Sequence, residues 1–434
     1  MADAFKVVRS PYLFRKINEH LDHTDFPSCA LVNRYWESLF GPLVWHTLTF
    51  SGEPHCDDLQ PFHKNHVKTL NWKGLHIRRL HSHDCQSLLC FIGPQSRCCH
   101  LLELEFTACL THESTAKAIQ LICLNPELER LTIQGDFTLT RKSDVPQNLF
   151  SALHKHPALT HITLGTADTI DYDCRESETL GQNLTRIESL QIGNCPSLGQ
   201  LNTVIATHWS STLKELSFLR GTSVQSTDIQ LLLTSCPLLT KFVVWPDKIR
   251  YGINGVAQQG CSGLKLSMMT GSSWVCLGLK QLGLRILDDR SVREGTTIEE
   301  KNQGTVIMRQ ALAQIGDLVV LQQLGLEWTS ATKIDPKAVT LVLKDFVQMD
   351  FSLSCGLNLL GRLKQLRKLQ VSMREIKVGQ REMEWIVDNW PKLTVVAGLY
   401  RSSLSSCLKT TAIKDKEPAH IAWLREHRPS LTIL

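Results

Sequence analysis

Leu213-Lys214-Glu215-Leu216-Ser217-Phe218 is followed 26 residues later by Leu239-Thr240-Lys241-Phe242-Val243-Val244, and the match between the two hexads decides the fold. Both fit L-x-x-L-x-L with Ile, Val or Phe admitted at the apolar places. In an extended chain alternate side chains face opposite sides, so the last two apolar residues of each hexad point the same way. The pattern continues upstream as Leu101-Leu104-Phe106, Leu128-Leu131-Ile133, Leu159-Ile162-Leu164 and Ile187-Leu190-Ile192. Downstream it recurs as Leu279-Leu282-Leu284, Leu321-Leu324-Leu326 and Leu366-Leu369-Val371. Val67-Leu70-Trp72 reads as an earlier copy, and Leu393-Val396 and Leu431-Leu434 as degenerate late ones. From residue 101 to 239 the successive intervals are 27, 31, 28, 26 and 26 residues, too even a train for chance.

A second regularity precedes the hexads. Pro126, Pro157, Pro237, Pro391 and Pro429 each stand two residues before the first apolar residue of their unit. Proline cannot continue a helix and forces its predecessor toward extended geometry, so each reads as a stop between a helix and the next strand. The segments ahead of the stops are amphipathic, as in Ala118-Ile119-Leu121-Ile122, Ile229-Leu231-Leu232-Leu233, Ile386-Val387-Trp390 and Ile421-Trp423-Leu424. Each unit is therefore strand, loop, helix, stop. No unit can bury its apolar face alone, so neighbours must stack into a curved α/β solenoid with a parallel sheet on the concave side and helices on the convex side.

Cys109 and Cys195 each follow the last apolar residue of a hexad by three positions, as small buried hydrophobes on the turn after a strand. With them the unit resembles the cysteine-containing leucine-rich repeat over about residues 65–434. The repeat domain is assigned to 51–434, with insertions near 246–275 (rich in Gly and Ser), 285–305 (charged) and 400–418 (Ser, Thr and Lys), expected as rim loops.

Composition agrees. Leucine is about one residue in seven of 434, apolar residues make up 42% and charged residues 21%, enough for a large core. Lys+Arg 47 against Asp+Glu 42 leaves only +5, spread over 49.0 kDa, which argues against a nucleic-acid partner. No run approaches the roughly 18 unbroken apolar residues of a membrane span, so no membrane partner is expected. Lys6, Arg9, Arg15 and Lys16 interrupt any secretory signal, and the reading is an intracellular chain, cytoplasmic or nuclear, with reduced cysteines.

Residues 1–50 lack the repeat and form a separate segment. Leu13, Ile17 and Leu21 recur at four-residue spacing and give one apolar helical face. Asp25 is placed to cap a second helix running to Val32, and Arg34 to Phe40 continues helically before Gly41-Pro42 breaks it. So short a segment cannot bury an independent core; it either caps the solenoid or docks onto another protein.

Leu13-Phe14-x-x-Ile17-x-x-x-Leu21-x-x-x-Asp25-Phe26, then Leu31-Val32-x-Arg34-x-Trp36, then Leu43-x-Trp45, resembles the F-box. Pro11 sits one residue late against that pattern, Tyr12 replaces an acidic residue, and Asn33 replaces the common Cys or Ser. The resemblance implies a three-helix motif that binds a Skp-family adaptor, and through it a cullin-ring ubiquitin ligase. Carried over by position, Pro11, Leu13, Phe14, Ile17, Leu21, Phe26, Leu31 and Val32 would supply the apolar docking surface. Trp36, Leu43 and Trp45 would organise the helices or join that surface. An F-box followed by leucine-rich repeats implies a non-catalytic substrate receptor, with the repeats gripping an unknown protein substrate.

Between the inward leucines, Glu103, Glu105, Arg130, His161, Glu215, Lys241, Trp245, Arg285, Glu327 and Lys368 are expected on the concave groove. Arg130, Trp245 and Arg285 are the expected substrate contacts, because exposed Arg and Trp make strong interface anchors. Catalytic and cofactor signatures are missing: no phosphate loop, no His-Glu-x-x-His and no Gly-x-Ser-x-Gly. Residues 46–112 hold nine histidines beside Cys56, Cys85, Cys90, Cys98, Cys99 and Cys109, but without the paired C-x2-C spacing of zinc sites. No cofactor and no metal are expected. Two other readings stay open: a repeat scaffold unrelated to ubiquitination whose N-terminus is only a cap, and a GTPase activator built on a groove-edge arginine such as Arg130.

Overall fold

The structure, a computed structural model, describes most of residues 101–434, with strands at 47–50 and 79–82 and scattered residues between 16 and 40. Within 101–434 the stretches 107–111, 134–151, 154, 166–178, 180, 194–200, 220–221, 223, 245–262, 289–297, 331–350, 373–377 and 400–417 fall outside the description. The chain forms two compact units, Met1–Leu159 and Thr160–Leu434.

In the first unit β1 (Thr47–Phe50), β2 (Arg79–Ser82), β3 (Glu103–Phe106) and β4 (Arg130–Ile133) lie side by side in chain order, every pair parallel. Helix α1 (His112–Leu124) makes the crossover from β3 to β4, as parallel neighbours require.

The second unit repeats the scheme with β5 (His161–Leu164), β6 (Ser189–Ile192), β7 (Glu215–Phe218) and β8 (Lys241–Val244). It continues with β9 (Leu264–Lys265), β10 (Gln281–Asp288), β11 (Gln323–Ser330), β12 (Lys368–Ser372), β13 (Val395–Ala397) and β14 (Thr432–Ile433). The pairing is again parallel and sequential, except that β8 and β9 both pair with β10. Its helices are α2 (Leu201–Val204, running into a π-helical turn at Ile205–Trp209), α3 (Ser226–Ser235), α4 (Leu266–Met269), α5 (Ile298–Gly316), α6 (Gln380–Asn389) and α7 (Ala419–His427).

The leucine ladder is the core. The second hexad position runs through register as Ile162, Leu190, Leu216, Phe242, Leu282, Leu324, Leu369 and Val396, all 3% exposed or less. Ile229, Leu232 and Leu233 of α3, Met383 and Ile386 of α6, and Ile421 and Leu424 of α7 close over it from the helical side. Each such side chain contributes about 1.5–3 kcal/mol on burial, so the array stands on the sum of many equal terms.

One backbone joint recurs at nearly every step. The carbonyl just before a strand accepts from two consecutive amides of the next unit: Thr160 from Glu188 and Ser189, Glu188 from Lys214 and Glu215, Lys214 from Thr240 and Lys241. Thr240, Lys280, Gln322 and Arg367 repeat the arrangement, as does Leu102 in the first unit. This shared acceptor sets the register before the strand begins, which is why the hexads align one to one.

The proline stops behave as their chemistry demands. Cys236, Trp390 and Arg428, each followed by Pro, end their helices at φ −109°, −118° and −137° with ψ 84°, 71° and 70°. Each cap still donates its amide four residues back, to Leu232, Ile386 and Leu424. Its own carbonyl then accepts from the first leucine of the next strand, at 3.4, 3.1 and 2.9 Å for Leu239, Leu393 and Leu431. Units without proline close the same way, Leu279 onto Cys276 and Leu321 onto Leu318. The turn is a property of the repeat, and proline reinforces it.

Five expectations need correction or placement. The strand beside β3 is Arg79–Ser82, while the copy read at 67–72 lies outside the described residues. Thr47–Phe50, assigned to the N-terminal segment, is a strand of the sheet. The later half of the 246–275 insertion is folded: Leu264–Lys265 pairs with β10 and leads into α4, with Leu264, Leu266 and Met269 buried. The 285–305 insertion is mostly the far half of β10 and the start of α5; only 289–297 lies outside the description. Its charges misled because a helix with a wet face looks like a loop, and Glu299 and Glu300 stand in the first turn of α5, where the helix dipole favours acids. The stretch 400–417 of the third insertion lies outside the described residues.

Two glycines are required by geometry. A Cβ on Gly193 would meet the Gly165 carbonyl oxygen at 2.1 Å, so consecutive units close tightly just after β5 and β6. Gly398 has φ +80°, and a Cβ there would sit 1.8 Å from the Val371 carbonyl oxygen.

Candidate docking and recognition surfaces

In the N-terminal segment the described residues are helical at 16, 28–29, 36 and 40. The Cys29 amide donates to the Asp25 carbonyl at 3.0 Å, the bond expected if Asp25 caps the helix that follows. Trp36 and Phe40, four residues apart, bring their rings to 5.2 Å at a tilt of 35°, with Phe40 fully buried. Leu31 and Val32 are 81% and 60% exposed, and Leu21 is half-buried. Adjacent bulky apolar side chains left in water are the kind of surface that a partner can cover. Pro11, Leu13, Phe14, Ile17, Phe26, Leu43 and Trp45 lie outside the described residues.

On the second unit's sheet the first outward position runs in register as His161, Ser189, Glu215, Lys241, Gln281, Gln323 and Lys368. Lys241 and Glu215 face each other across neighbouring strands at 3.7 Å, and Lys214 meets Glu188 at 2.8 Å. The hydrogen bond from Lys214 holds the Glu188 carboxyl below its ordinary range. These exposed pairs contribute little to stability but fix charge positions on the surface.

The next outward positions behave differently. Ser217 and Val243 are 5% and 2% exposed, although they alternate with the inward ladder. Further along β10, Arg285 and Leu287 are 2% and 6% exposed. This corrects the expectation for Arg285: it is a buried side chain, not an exposed contact. The cause is local, because β10 runs four residues past its hexad leucine and β9 pairs with that extension at Ile286 and Leu287. Ile286-Leu287 directly after Leu284 was the signal, an apolar run continuing where other units turn polar. Glu327 on β11 stands in register with Arg285.

Arg130 is exposed at the first position of β4, with Thr132 half-buried beyond it, and Glu103 and Glu105 of β3 are half-buried. Trp245 lies outside the described residues, as do most of the histidines and cysteines of 46–112. Among the described residues, five free cysteines include buried Cys236 and Cys276, whose thiols burial pushes up to about 12 and about 11. No cluster of three His, Cys, Asp or Glu among the described residues is placed to hold a metal ion, and no helix among them is long and apolar enough to cross a membrane.

Sequence reasoning also missed a buried column at the helix stops. Asn125, His156, Cys236, Cys276 and Trp390 each precede their unit's first leucine by three residues and are fully enclosed. Asn125 Oδ1 accepts from the Leu101 amide at 3.0 Å while its Nδ2 donates to the Leu121 carbonyl at 2.8 Å. Trp390 Nε1 donates to the Leu360 carbonyl at 3.1 Å. Arg428, at the same place in the last unit, donates to the carbonyls of Trp390, Pro391 and Leu393 at 3.0–3.3 Å. Trp390 and Arg428 thereby stitch their units to the one before, and Asn125 ties the helix end of its repeat back to the start of its strand.

No family model matches the chain, and no curated protein matches it. Among solved structures it is similar to a chain of the crystal structure of the Rad7 and Elc1 complex in yeast, at 15% identity and TM-score 0.39, over 100% of this chain and 98% of that one. The repeat architecture rests on the parallel sheet and its joints.

Proposed function

We propose that the chain is a non-catalytic substrate-recognition subunit of an SCF-type ubiquitin ligase, working inside the cell. Residues 1–50 dock a Skp-family adaptor and, through it, the cullin scaffold, and the repeats bind a protein substrate. The observation that carries the reading is the exposure of Leu31 and Val32 within the very stretch whose residues resemble an F-box. Ligation chemistry then belongs to the ring-type ligase and its ubiquitin carrier, and this chain contributes position.

Co-purification of the full chain with a Skp-family adaptor is the test. Wild type is expected to hold the adaptor, and Leu31→Asp with Val32→Asp to release it while circular dichroism stays unchanged. No adaptor binding by folded wild type removes the proposal. The scaffold reading has one observation in its favour, the complete burial of Phe40, as a cap would need. Deleting residues 1–40 separates the two: a cap predicts aggregation of the remaining chain, a docking segment predicts a soluble chain that has lost only the adaptor.

A further inference from the structure

The turn from helix to strand presents polar side chains in most units, but exposes bulky apolar ones in three neighbours. Leu238 ahead of β8, Leu277 ahead of β10, and Val319 and Val320 ahead of β11 are 48%, 57%, 42% and 37% exposed. Val275, two residues before Leu277, adds another 41% exposed apolar side chain. The equivalent positions on either side are Ser211 and Thr212 ahead of β7, and Lys364 and Gln365 ahead of β12. Because β8, β10 and β11 are direct sheet neighbours, these side chains come together along one rim. Adjacent strands lie about 4.8 Å apart, so the apolar strip runs on the order of 10 Å. Its backbone is held firm: the amides of Leu277 and Val319 each close a tight turn onto the carbonyl two residues back, at 2.9 Å.

The charges beside the strip that lack an ionic partner among the described residues are of one sign. Lys280, Arg367 and Lys368 are exposed and have no ionic partner among the described residues. Lys280 and Arg367 flank Gln322 in the row of shared carbonyls that precedes β10, β11 and β12. The carboxylate of Asp317, at this rim, is taken up by Arg362. Unpaired cations cost little in water but do not attract one another, so three along one rim beside exposed leucine and valine favour an anionic occupant with apolar side chains. An extended segment suits the strip better than a globular face, since its side chains can meet the apolar residues and the cations alternately.

We propose that this rim, formed by the units of β8, β10, β11 and β12, is a docking site for an extended acidic segment of a partner protein. Its bulky apolar side chains rest on Leu238, Leu277 and Val319–Val320, and its carboxylates meet Lys280, Arg367 and Lys368. The inference rests on reading the repeats as the partner-binding part of the chain, and does not depend on adaptor docking by residues 1–50.

The test is fluorescence anisotropy of the full chain with a labelled twelve-residue peptide alternating Glu with Leu or Phe, beside a Lys-for-Glu and a Ser-for-Leu control. The acidic apolar peptide is expected to bind, each control at least tenfold more weakly, and raised salt to weaken binding. Leu277→Ser with Val319→Ser, and separately Lys280→Glu with Arg367→Glu, should each lower affinity at least tenfold. The charge pair sits on exposed side chains, so it keeps the test valid should the apolar pair fold poorly. Absent binding, equal binding of the Lys-for-Glu peptide, or indifference to both pairs of substitutions overturns the proposal. So does a Leu277-dependent dimer in light scattering that the peptide fails to dissociate, or Lys280-dependent binding to anionic vesicles or RNA that exceeds binding to the peptide. Adaptor binding is read separately, so either result can fail alone.

Discussion

Asn125→Ala should destabilise the first unit by about 2–4 kcal/mol. The side chain is fully enclosed, and its two ends tie together the two ends of one repeat: Oδ1 takes the Leu101 amide ahead of β3, Nδ2 the Leu121 carbonyl in α1. The Asn125 amide itself turns to Ile122, so it does not supply the Leu121 carbonyl in the usual helical way. Alanine therefore orphans one donor and one acceptor, each costing about 1–3 kcal/mol when buried, and the relief from no longer burying the carboxamide offsets part of the sum. Asn125→Leu restores volume but not partners and should be no better than alanine. Asn125→Asp keeps the acceptor for Leu101 but sets an oxygen against the Leu121 carbonyl, so it should recover stability at low pH, where its carboxyl can donate. Urea unfolding by circular dichroism gives the magnitude, and hydrogen exchange at the Leu101 amide gives the place. Should Asn125→Ala lie within 0.5 kcal/mol of wild type, with Leu101 exchange unaltered, the stitching argument is wrong.

Three further outcomes follow from the same geometry. His156 is buried with neither ring nitrogen in a good hydrogen bond, and burial, with Lys155 adding to it, holds its pKa below the ordinary 6.5 against a smaller opposing effect of the Asn125 backbone. The unfolded chain therefore takes up this proton first, so stability is full above about pH 6.5 and falls below it; His156→Leu should flatten that fall in melting curves between pH 5 and 8, and parallel curves would refute the assignment. Gly398→Ala should lower stability by more than about 2 kcal/mol, read in thermal melts, since its φ is +80° and the new Cβ would press on the Val371 carbonyl. At pH 8 iodoacetamide should label exposed Cys123 and spare Cys236 and Cys276, whose burial keeps them as thiols; mass spectrometry showing Cys236 alkylated in folded protein would contradict the packing described.

The array was legible because a strand with one buried face writes its period into the sequence. Leu213-Leu216-Phe218 and its relatives could be aligned by eye, and Pro237, Pro391 and Pro429 marked the stops. What escaped was whatever departs from an average unit. Arg285 read as an exposed contact because its charge outweighed Ile286-Leu287, and only the pairing of β9 with β10 explains its burial. The start of Ile298–Gly316, as far as residue 305, read as a loop because its charged first turn drew attention from Met308, Ala311, Leu312 and Ile315 at helical spacing just beyond. The exposed rim of Leu238, Leu277 and Val319 was invisible because each stood within two residues of a core leucine and passed for part of the same apolar run. Periodicity locates the ladder, but it does not tell an inward side chain from its immediate neighbour in a turn.

The pairing of β10 with β11 extends over eight residues, whereas β12 meets β13 over three and β13 meets β14 over two. An array joined so unequally has a grain. Pulled or chilled toward unfolding, it should fray from the C-terminal edge inward and split beside the long seam before the seam itself yields. The segment carrying Leu277, Val319 and Lys280 would thus be among the last surfaces lost, and a partner seated there would hold its footing while the flanks breathe.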